Sequence, residues 1–173
     1  MSNIHLILGG ARSGKSRYAE QLALSTDNTL HYVATAQAHD EEMQARIAHH
    51  QSQRSARFLL HEVPFEIPSC IAEYSQQSNT VVVDCLTLWV SNILVQENGE
   101  AIAESKRQEL LNALLNVEGD VILVSNEVSM GIVPMGELSR RFVDEAGRLH
   151  QEIAGIANNV TLMVAGLAHP IKS

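Results

Sequence analysis

The chain has 173 residues, of which 45% are hydrophobic and only 4% aromatic, so it can bury one sizeable core and is expected to form a single domain over residues 1–173. Twelve Lys and Arg against 20 Asp and Glu give a net charge of -8, which argues against a protein that binds by neutralising nucleic-acid phosphates. There is no secretory leader pattern and no run of about 18 apolar residues, so neither export nor a membrane span is expected. Cys70 and Cys85 form neither a C-x-x-C motif nor a metal-ligand cluster, which favours a reducing compartment. We therefore expect a cytoplasmic protein.

The first predicted element is a strand over residues 4–8, and a glycine-rich segment follows it directly. Residues 9–16 read GGARSGKS and fit the G-x-x-x-x-G-K-[ST] pattern of a P-loop. The next helix, predicted over residues 15–24, directs its N-terminal dipole and the Lys15 ammonium at phosphates, and the Ser16 hydroxyl is suited to hold Mg²⁺. The alternative is an ordinary glycine-rich turn. The predicted triphosphate-binding residues are Gly9, Gly10, Ala11, Arg12, Ser13, Gly14, Lys15 and Ser16.

A second strand is predicted over residues 30–34, and Thr35 closes it. Its hydroxyl can reach a phosphate from that position, but an ordinary strand threonine is an equally good interpretation. The stretch that follows, residues 40–53, begins with acidic residues and continues with basic ones, as suits a helix aligned with its own dipole.

Two adjacent histidines lie near the end of that predicted helix. At about 100° per residue, His50 shares a stripe with Met43 and Ile47, whereas His49 lies on a flank near Arg46. His50 therefore resembles a packed residue and His49 a presented one. Next to a cation an imidazole favours its neutral form, which is a competent nucleophile towards phosphorus. From spacing alone, surface or capping histidines are the favoured interpretation, and zinc is disfavoured because neighbouring histidines point apart on a helix.

The rest of the chain alternates short apolar runs with longer amphipathic stretches, which is typical of an α/β fold with a mainly parallel central sheet flanked by helices. Residues 81–83 and 121–124 are apolar without alternation, as expected for strands buried on both faces. The remaining predicted strands cover residues 57–63, 80–84, 121–125 and 160–165. The remaining predicted helices cover residues 67–76, 86–95, 101–117 and 136–157.

Polar residues close two of these later strands, at the edge of the sheet where ligands bind. Asp84 follows an apolar run and has the setting of a Walker B carboxylate, which holds Mg²⁺ beside Ser16, although a turn-forming aspartate is the alternative. Asn126 and Glu127 can orient a substrate or a water, and by position alone Asp84 and Glu127 are candidates for a general base. Six histidines are interpreted as structural or exposed: His5, His31, His39, His61, His150 and His169.

Four segments together resemble the bifunctional adenosylcobinamide kinase/adenosylcobinamide-phosphate guanylyltransferase family of cobalamin biosynthesis. They are GGARSGKSR at 9–17, YVATA at 32–36, RIAHH at 46–50 and NEV at 126–128, and the resemblance extends through residues 131–134 and 141–148. It implies a RecA-like P-loop NTPase fold, a homotrimer and a histidine that carries GMP covalently, which by motif alignment is His49. The same resemblance implies further nucleotide contacts at Thr35, Ala36, Gln37, His50, Gln51, Ser52, Gln53, Glu62 and Asp84.

The resemblance also implies two reactions in one domain, with ATP and GTP as substrates and Mg²⁺ as cofactor. In the first, the aminopropanol hydroxyl of adenosylcobinamide attacks a γ-phosphate, while loop amides, Lys15 and Mg²⁺ stabilise the charge. In the second, His49 displaces pyrophosphate from GTP, and adenosylcobinamide phosphate then takes the GMP to give adenosylcobinamide-GDP.

One alternative is a single-activity P-loop kinase of a small metabolite without a covalent intermediate. Another is a GTP-dependent switch, which the missing N-K-x-D guanine motif argues against.

Overall fold

The computed structural model describes residues 2–37, 41, 44–45 and 54–173. Among these residues, the structure has seven strands and five helices. The strands are β1 (Ile4–Gly9), β2 (Thr29–Ala34), β3 (Phe58–Glu62), β4 (Asn79–Asp84), β5 (Asp120–Asn126), β6 (Asn159–Val164) and β7 (Leu167–Lys172). The helices are α1 (Lys15–Leu24), α2 (Ile67–Tyr74), α3 (Leu86–Leu94), α4 (Gly99–Leu115) and α5 (Glu137–Ile156).

The strands form one sheet in the order β3-β2-β4-β5-β1-β6-β7. The first six strands in chain order run parallel, and β7 pairs antiparallel with β6. The registers align Gly9 with Asn126 and Ala34 with Asp84, so these strands all end at the same edge of the sheet. This carboxyl edge therefore collects the P-loop motif, Thr35 and the polar ends of β4 and β5.

Helices cover both faces of the sheet, as the sequence predicts. On one face, Leu6, Val83 and Leu123 pack in a core shared with α2, α3, α4 and α5. On the other, Val82 and Ile122 belong to a second core to which α1 contributes. Because neighbouring strand residues such as Val82 and Val83 point to opposite faces and are both fully buried, the central strands need apolar residues at every position.

The α/β prediction with a mainly parallel sheet is confirmed, and the predicted strands and helices outside residues 40–53 all occur with ends shifted by at most two residues. The predicted helix over 40–53 lies almost wholly outside the described residues. The sequence analysis missed β7, because Pro170 within a short run normally argues against a strand. Proline is tolerated here because β7 is an edge strand that needs no N–H on its outer side.

Several of the histidines interpreted as structural pack against other rings. His31 Nδ1 lies 3.0 Å from His61 Nε2, and both rings stack on Tyr74, with centroids 4.8 and 4.2 Å away. This stack joins β2 and β3 to α2. Cys70 and Cys85 are both free thiols. Among the described helices, none is long and apolar enough to cross a membrane.

Candidate functional site

The P-loop motif forms a tight turn between β1 and α1, and two positions of this turn require glycine. Gly9 has φ 157°, and a Cβ there would lie 2.5 Å from the carbonyl oxygen of Met163 and 2.6 Å from Ser13 Oγ. Gly14 precedes α1 with φ 95°, in the left-handed region that residues with a side chain rarely adopt. The backbone can therefore curl closely around a phosphate at the helix N-terminus.

Two polar side chains are buried within this turn. Lys15 is only 7% exposed, and its ammonium donates a 2.6 Å hydrogen bond to the carbonyl oxygen of Gly10. The positive charge of Lys15 therefore lies beside the start of the loop. Ser13 is 8% exposed, and its hydroxyl has no hydrogen-bond partner among the described residues. A buried hydroxyl without a partner is costly, and a phosphate oxygen in the loop is the kind of acceptor that would satisfy it.

Asp84 is held at the carboxyl edge by a buried tyrosine. The Tyr32 hydroxyl donates a 2.6 Å hydrogen bond to Asp84 Oδ2. Burial, and then the charge of Asp84, raises the pKa of Tyr32 well above its usual value, so the phenol stays protonated and remains a donor. One carboxylate oxygen is thus oriented by the protein, which suits a group that binds a cation with its remaining lone pairs.

The Arg54 guanidinium packs over the face of the Tyr32 ring. Its guanidinium carbon lies 3.5 Å from the centroid of the Tyr32 ring, and its Nε lies 3.8 Å from Glu20 Oε1. Burial raises the pKa of Glu20, partly opposed by the charge of Arg54. Sequence reasoning missed this cluster, because Glu20, Tyr32, Arg54 and Asp84 lie on separate elements and carry no common pattern.

Thr35 does not present a free hydroxyl at the edge. Its Oγ1 donates to the carbonyl oxygen of Cys85 at 2.7 Å and accepts from the Cys85 N–H at 2.8 Å. The Asn92 side-chain amide binds the Thr35 carbonyl oxygen at 2.9 Å. Thr35 therefore fixes the chain just after Asp84, and its contact with a nucleotide stays a prediction.

A buried network holds the end of β5. The Thr87 hydroxyl accepts a 2.6 Å hydrogen bond from the Asn126 N–H and lies 3.1 Å from Ser125 Oγ, which in turn lies 2.7 Å from His150 Nε2. Burial lowers the pKa of His150, although the charge of Glu127 opposes this. The sequence gives no signal for this network, since its members are spread over β5, α3 and α5.

Glu127 connects the end of β5 to the P-loop. Its N–H donates a 3.0 Å hydrogen bond to the carbonyl oxygen of Gly9, and its carboxylate accepts from the N–H groups of Ser129 at 2.9 Å and Met130 at 3.2 Å. Burial would raise the pKa of Glu127, but hydrogen bonds from Ser129 and Met130 outweigh it and lower that pKa. The carboxylate is thus committed to shaping the following loop, which weakens its case as a general base.

The structure brings most of the predicted site residues that it describes to one edge: the P-loop residues, Thr35, Asp84, Asn126 and Glu127. Ala36 and Gln37 follow Thr35 and are half-buried. Glu62 ends β3, four strands away from β1, which puts it about 19 Å from the P-loop across the sheet. The predicted residues His49, His50, Gln51, Ser52 and Gln53 lie outside the described residues.

With this geometry in place, comparison with known proteins identifies the family. The family model described as cobinamide kinase / cobinamide phosphate guanyltransferase matches residues 5–171. The chain belongs to this family. The resemblance read from the sequence is thereby confirmed, as is the enzyme class that it implied.

Curated relatives match over nearly their whole length. The chain is 48% identical over 167 residues to the bifunctional adenosylcobalamin biosynthesis protein CobP of Pseudomonas aeruginosa, covering 96% of each chain. It is 38% identical over 179 residues to the bifunctional adenosylcobalamin biosynthesis protein CobU of Escherichia coli K12, covering 96% of this chain and 98% of the relative.

Two solved structures share the fold at low identity. The flagellar accessory protein FlaH from Methanocaldococcus jannaschii has a TM-score of 0.50 at 14% identity, over 98% of this chain and 78% of that one. The project PH0250 protein from Pyrococcus horikoshii OT3 has a TM-score of 0.57 at 8% identity, over 99% of this chain and 86% of that one. At these identities the likeness concerns the α/β fold alone.

Proposed function

We propose that this chain phosphorylates adenosylcobinamide with a nucleoside triphosphate and then transfers GMP from GTP, through a histidyl-GMP intermediate, to adenosylcobinamide phosphate. The observation that carries the proposal is the P-loop of a member of this enzyme family. It buries the Lys15 ammonium and a Ser13 hydroxyl that has no hydrogen-bond partner within the described part of the chain. The whole chain, residues 1–173, would act as one kinase and nucleotidyltransferase domain.

In the kinase step, the loop residues 9–16 would hold the triphosphate. Their N–H groups, the α1 N-terminus and the Lys15 ammonium supply fixed positive charge, which stabilises the negative charge on the transferred phosphoryl group. The aminopropanol oxygen forms a bond to the γ-phosphorus as the bond to the leaving nucleoside diphosphate breaks. Ser16 and Asp84 offer the hard oxygen ligands that Mg²⁺ prefers, and when bound this ion would neutralise charge on the phosphates. Tyr32 would orient the Asp84 carboxylate for that role.

In the guanylyltransfer step, a nitrogen of the neutral His49 imidazole would attack the α-phosphorus of GTP and release pyrophosphate. An oxygen of adenosylcobinamide phosphate would then attack the same phosphorus, break the P–N bond and regenerate the imidazole. This division replaces one encounter of two anions by two displacements at an activated phosphorus. Thr35, Ala36, Gln37, His50, Gln51, Ser52, Gln53 and Glu62 would contact the nucleotide. Because Glu62 ends β3, far across the sheet from the P-loop, it suits the distal part of a nucleotide better than the phosphates.

Incubation with GTP labelled at the α-phosphorus tests the covalent intermediate. We expect about one acid-labile, alkali-stable GMP per chain, as a phosphoramidate requires. His49→Ala should abolish this label and the guanylyltransferase activity but retain substantial kinase activity. The matched control is His61→Ala, because His61 lies in the ring stack with Tyr74 and not in the proposed chemistry. A wild-type protein that phosphorylates adenosylcobinamide but never carries label would instead be a single-activity kinase.

The proposed assembly is a homotrimer in the cytoplasm. All six residues of β7 are exposed, and the apolar side chains of Leu167 and Ile171 are 65% and 63% exposed at the outer edge of the sheet that the described strands form. Proteins usually cover such edges, so β7 is suited to a contact between subunits. Sedimentation equilibrium of the wild type should give three times the chain mass, and Ile171→Lys should lower it. A monomeric wild type would rule the trimer out.

A further inference from the structure

Four large apolar side chains protrude from the loop between β5 and α5. Met130, Ile132, Val133 and Met135 are 77%, 98%, 73% and 96% exposed. Residues 128–136 include no charged side chain. Single exposed apolar residues are common, but four within six positions form a patch of the kind that marks a binding surface. We call residues 128–136 the apolar loop.

The apolar loop is held in shape at both ends. At its start, the Glu127 carboxylate accepts hydrogen bonds from the N–H groups of Ser129 and Met130. Near its end, the Arg140 guanidinium donates to the carbonyl oxygens of Pro134, at 3.3 Å, and Met135. Two charged side chains therefore bind four backbone groups of the loop, while its apolar side chains are exposed.

The apolar loop also lies next to the P-loop. Asn126 is in register with Gly9, and the Glu127 N–H binds the Gly9 carbonyl oxygen at 3.0 Å. Met130 follows only three residues later, so its backbone lies within about 11 Å of that contact. A molecule that covers the Met130 end of this loop would thus lie near the phosphates of a nucleotide held by residues 9–16.

The apolar surface continues beyond the loop into a groove between α3 and α5. Its lining includes Val95, Pro134, Leu138 and Phe142. Val95 and Leu138 are themselves 67% and 52% exposed. Pro134 belongs to both the loop and the groove, so the two are continuous.

We propose that the apolar loop and this groove bind the corrin ring of the cobinamide substrate. A corrinoid is a broad macrocycle with methyl groups and uncharged amide arms, and its hydroxyl-bearing arm must reach the γ-phosphate. A large, uncharged surface beside the P-loop matches that chemistry, and the negative net charge of the chain suits the cationic cobalt centre. The inference rests on the proposed transfer of the γ-phosphate at residues 9–16.

A second copy of the chain is a less suitable occupant. The exposed strand β7 offers a separate surface for subunit contact, and it lies on the opposite side of β1 from β5 in the sheet. A subunit contact therefore does not require the apolar loop. The corrinoid, by contrast, has to bind next to the P-loop for its arm to react.

The test compares Ile132→Ser and Met135→Ser with Leu115→Ser. All three side chains are largely exposed, but Leu115 ends α4, near the amino edge of β5 and away from the P-loop. Equilibrium dialysis with adenosylcobinamide, followed by its visible absorption, gives the corrinoid Kd. We expect each loop variant to raise this Kd and the corrinoid KM about tenfold. The Kd for GTP, the kcat at saturating corrinoid and the oligomeric mass should stay unchanged, and Leu115→Ser should behave as wild type.

A wild-type corrinoid Kd in both loop variants would overturn the inference. If their oligomeric mass were also lower, the surface would be assigned to a contact between copies. Lys15→Ala separates this inference from the proposed function: it should abolish phosphorylation but leave the corrinoid Kd, measured without nucleotide, unchanged. Normal phosphorylation by Lys15→Ala would contradict the proposed function whatever the loop variants do.

Discussion

The P-loop and the buried network at the end of β5 lie side by side at the carboxyl edge, yet they are built in opposite ways. The P-loop is one continuous segment shaped mainly by its own backbone, with Gly9 and Gly14 where side chains do not fit. The network joins the hydroxyls of Thr87 and Ser125 to His150, which come from three elements. The first arrangement buries the Lys15 ammonium and leaves the Ser13 hydroxyl without a partner among the described residues, whereas the second satisfies its groups internally. Loss of the P-loop should therefore affect activity more than stability, and loss of the network should do the reverse.

The largest expected effect is that of Lys15→Ala. Removing the ammonium takes away a fixed positive charge from the triphosphate site, so kcat/KM for both the kinase and the guanylyltransferase should fall by about 100-fold to 1000-fold. Steady-state rates with each substrate measure this, and circular dichroism checks that the variant stays folded. If either activity survived at the wild-type level, the P-loop would not serve that reaction.

Asp84→Asn should produce the next largest effect. The amide lacks the charge that attracts a divalent cation, so the Mg²⁺ concentration for half-maximal activity, and the Kd for Mn²⁺ measured by electron paramagnetic resonance, should rise about tenfold or more. Tyr32→Phe, which deletes the hydroxyl bound to Asp84 Oδ2, should shift both in the same direction but less. The control is Asp120→Asn at the other end of the sheet, where the carboxylate binds the Asn3 N–H. An unchanged metal dependence would reduce Asp84 to a turn residue that anchors Tyr32.

The same contrast explains what could be predicted from the sequence. The P-loop follows from a local pattern, and α1 begins and ends at the predicted residues because its signals are also local. Contacts between distant residues leave no such pattern. Thr87 reads as an ordinary polar residue in an apolar helix, and nothing in the sequence indicates that it meets Ser125, which is 38 positions away. Thr35 shows the limit most clearly, since its strand position left a phosphate contact and an ordinary strand threonine equally open, and only the structure shows that its hydroxyl binds Cys85.

Thr87→Val tests the stabilising role of the network. Valine keeps the shape of the side chain but leaves the half-buried Asn126 N–H without its acceptor, so the free energy of unfolding should fall by about 1–3 kcal/mol. Kinase activity, measured at urea concentrations below those that unfold the protein, should stay within a few-fold of wild type. Urea titration measures the stability, and Ser105→Ala, at an exposed hydroxyl on α4, should change it by less than about 0.5 kcal/mol. A Thr87→Val enzyme with wild-type stability but no activity would reverse the roles assigned to the two regions.

His150 gives the smallest predicted effect, and it appears only in acid. Burial lowers the pKa of His150 in the folded protein, so the unfolded chain binds the proton more readily once the pH falls below about 6.5. The stability contributed by neutral His150 is thus complete above that pH and is lost as the pH falls towards the lowered folded pKa. Burial lowers the pKa of His5 and His31 as well, so unfolding of the wild type in acid should be accompanied by the uptake of several protons.

His150→Gln retains a polar partner for Ser125 but does not titrate, so the slope of unfolding free energy against pH below 6.5 should be shallower by at most about 1.4 kcal/mol per pH unit. Urea titrations at several pH values measure that slope, and an unchanged slope would mean that His150 is protonated in the fold and that the Ser125 hydroxyl accepts its hydrogen bond.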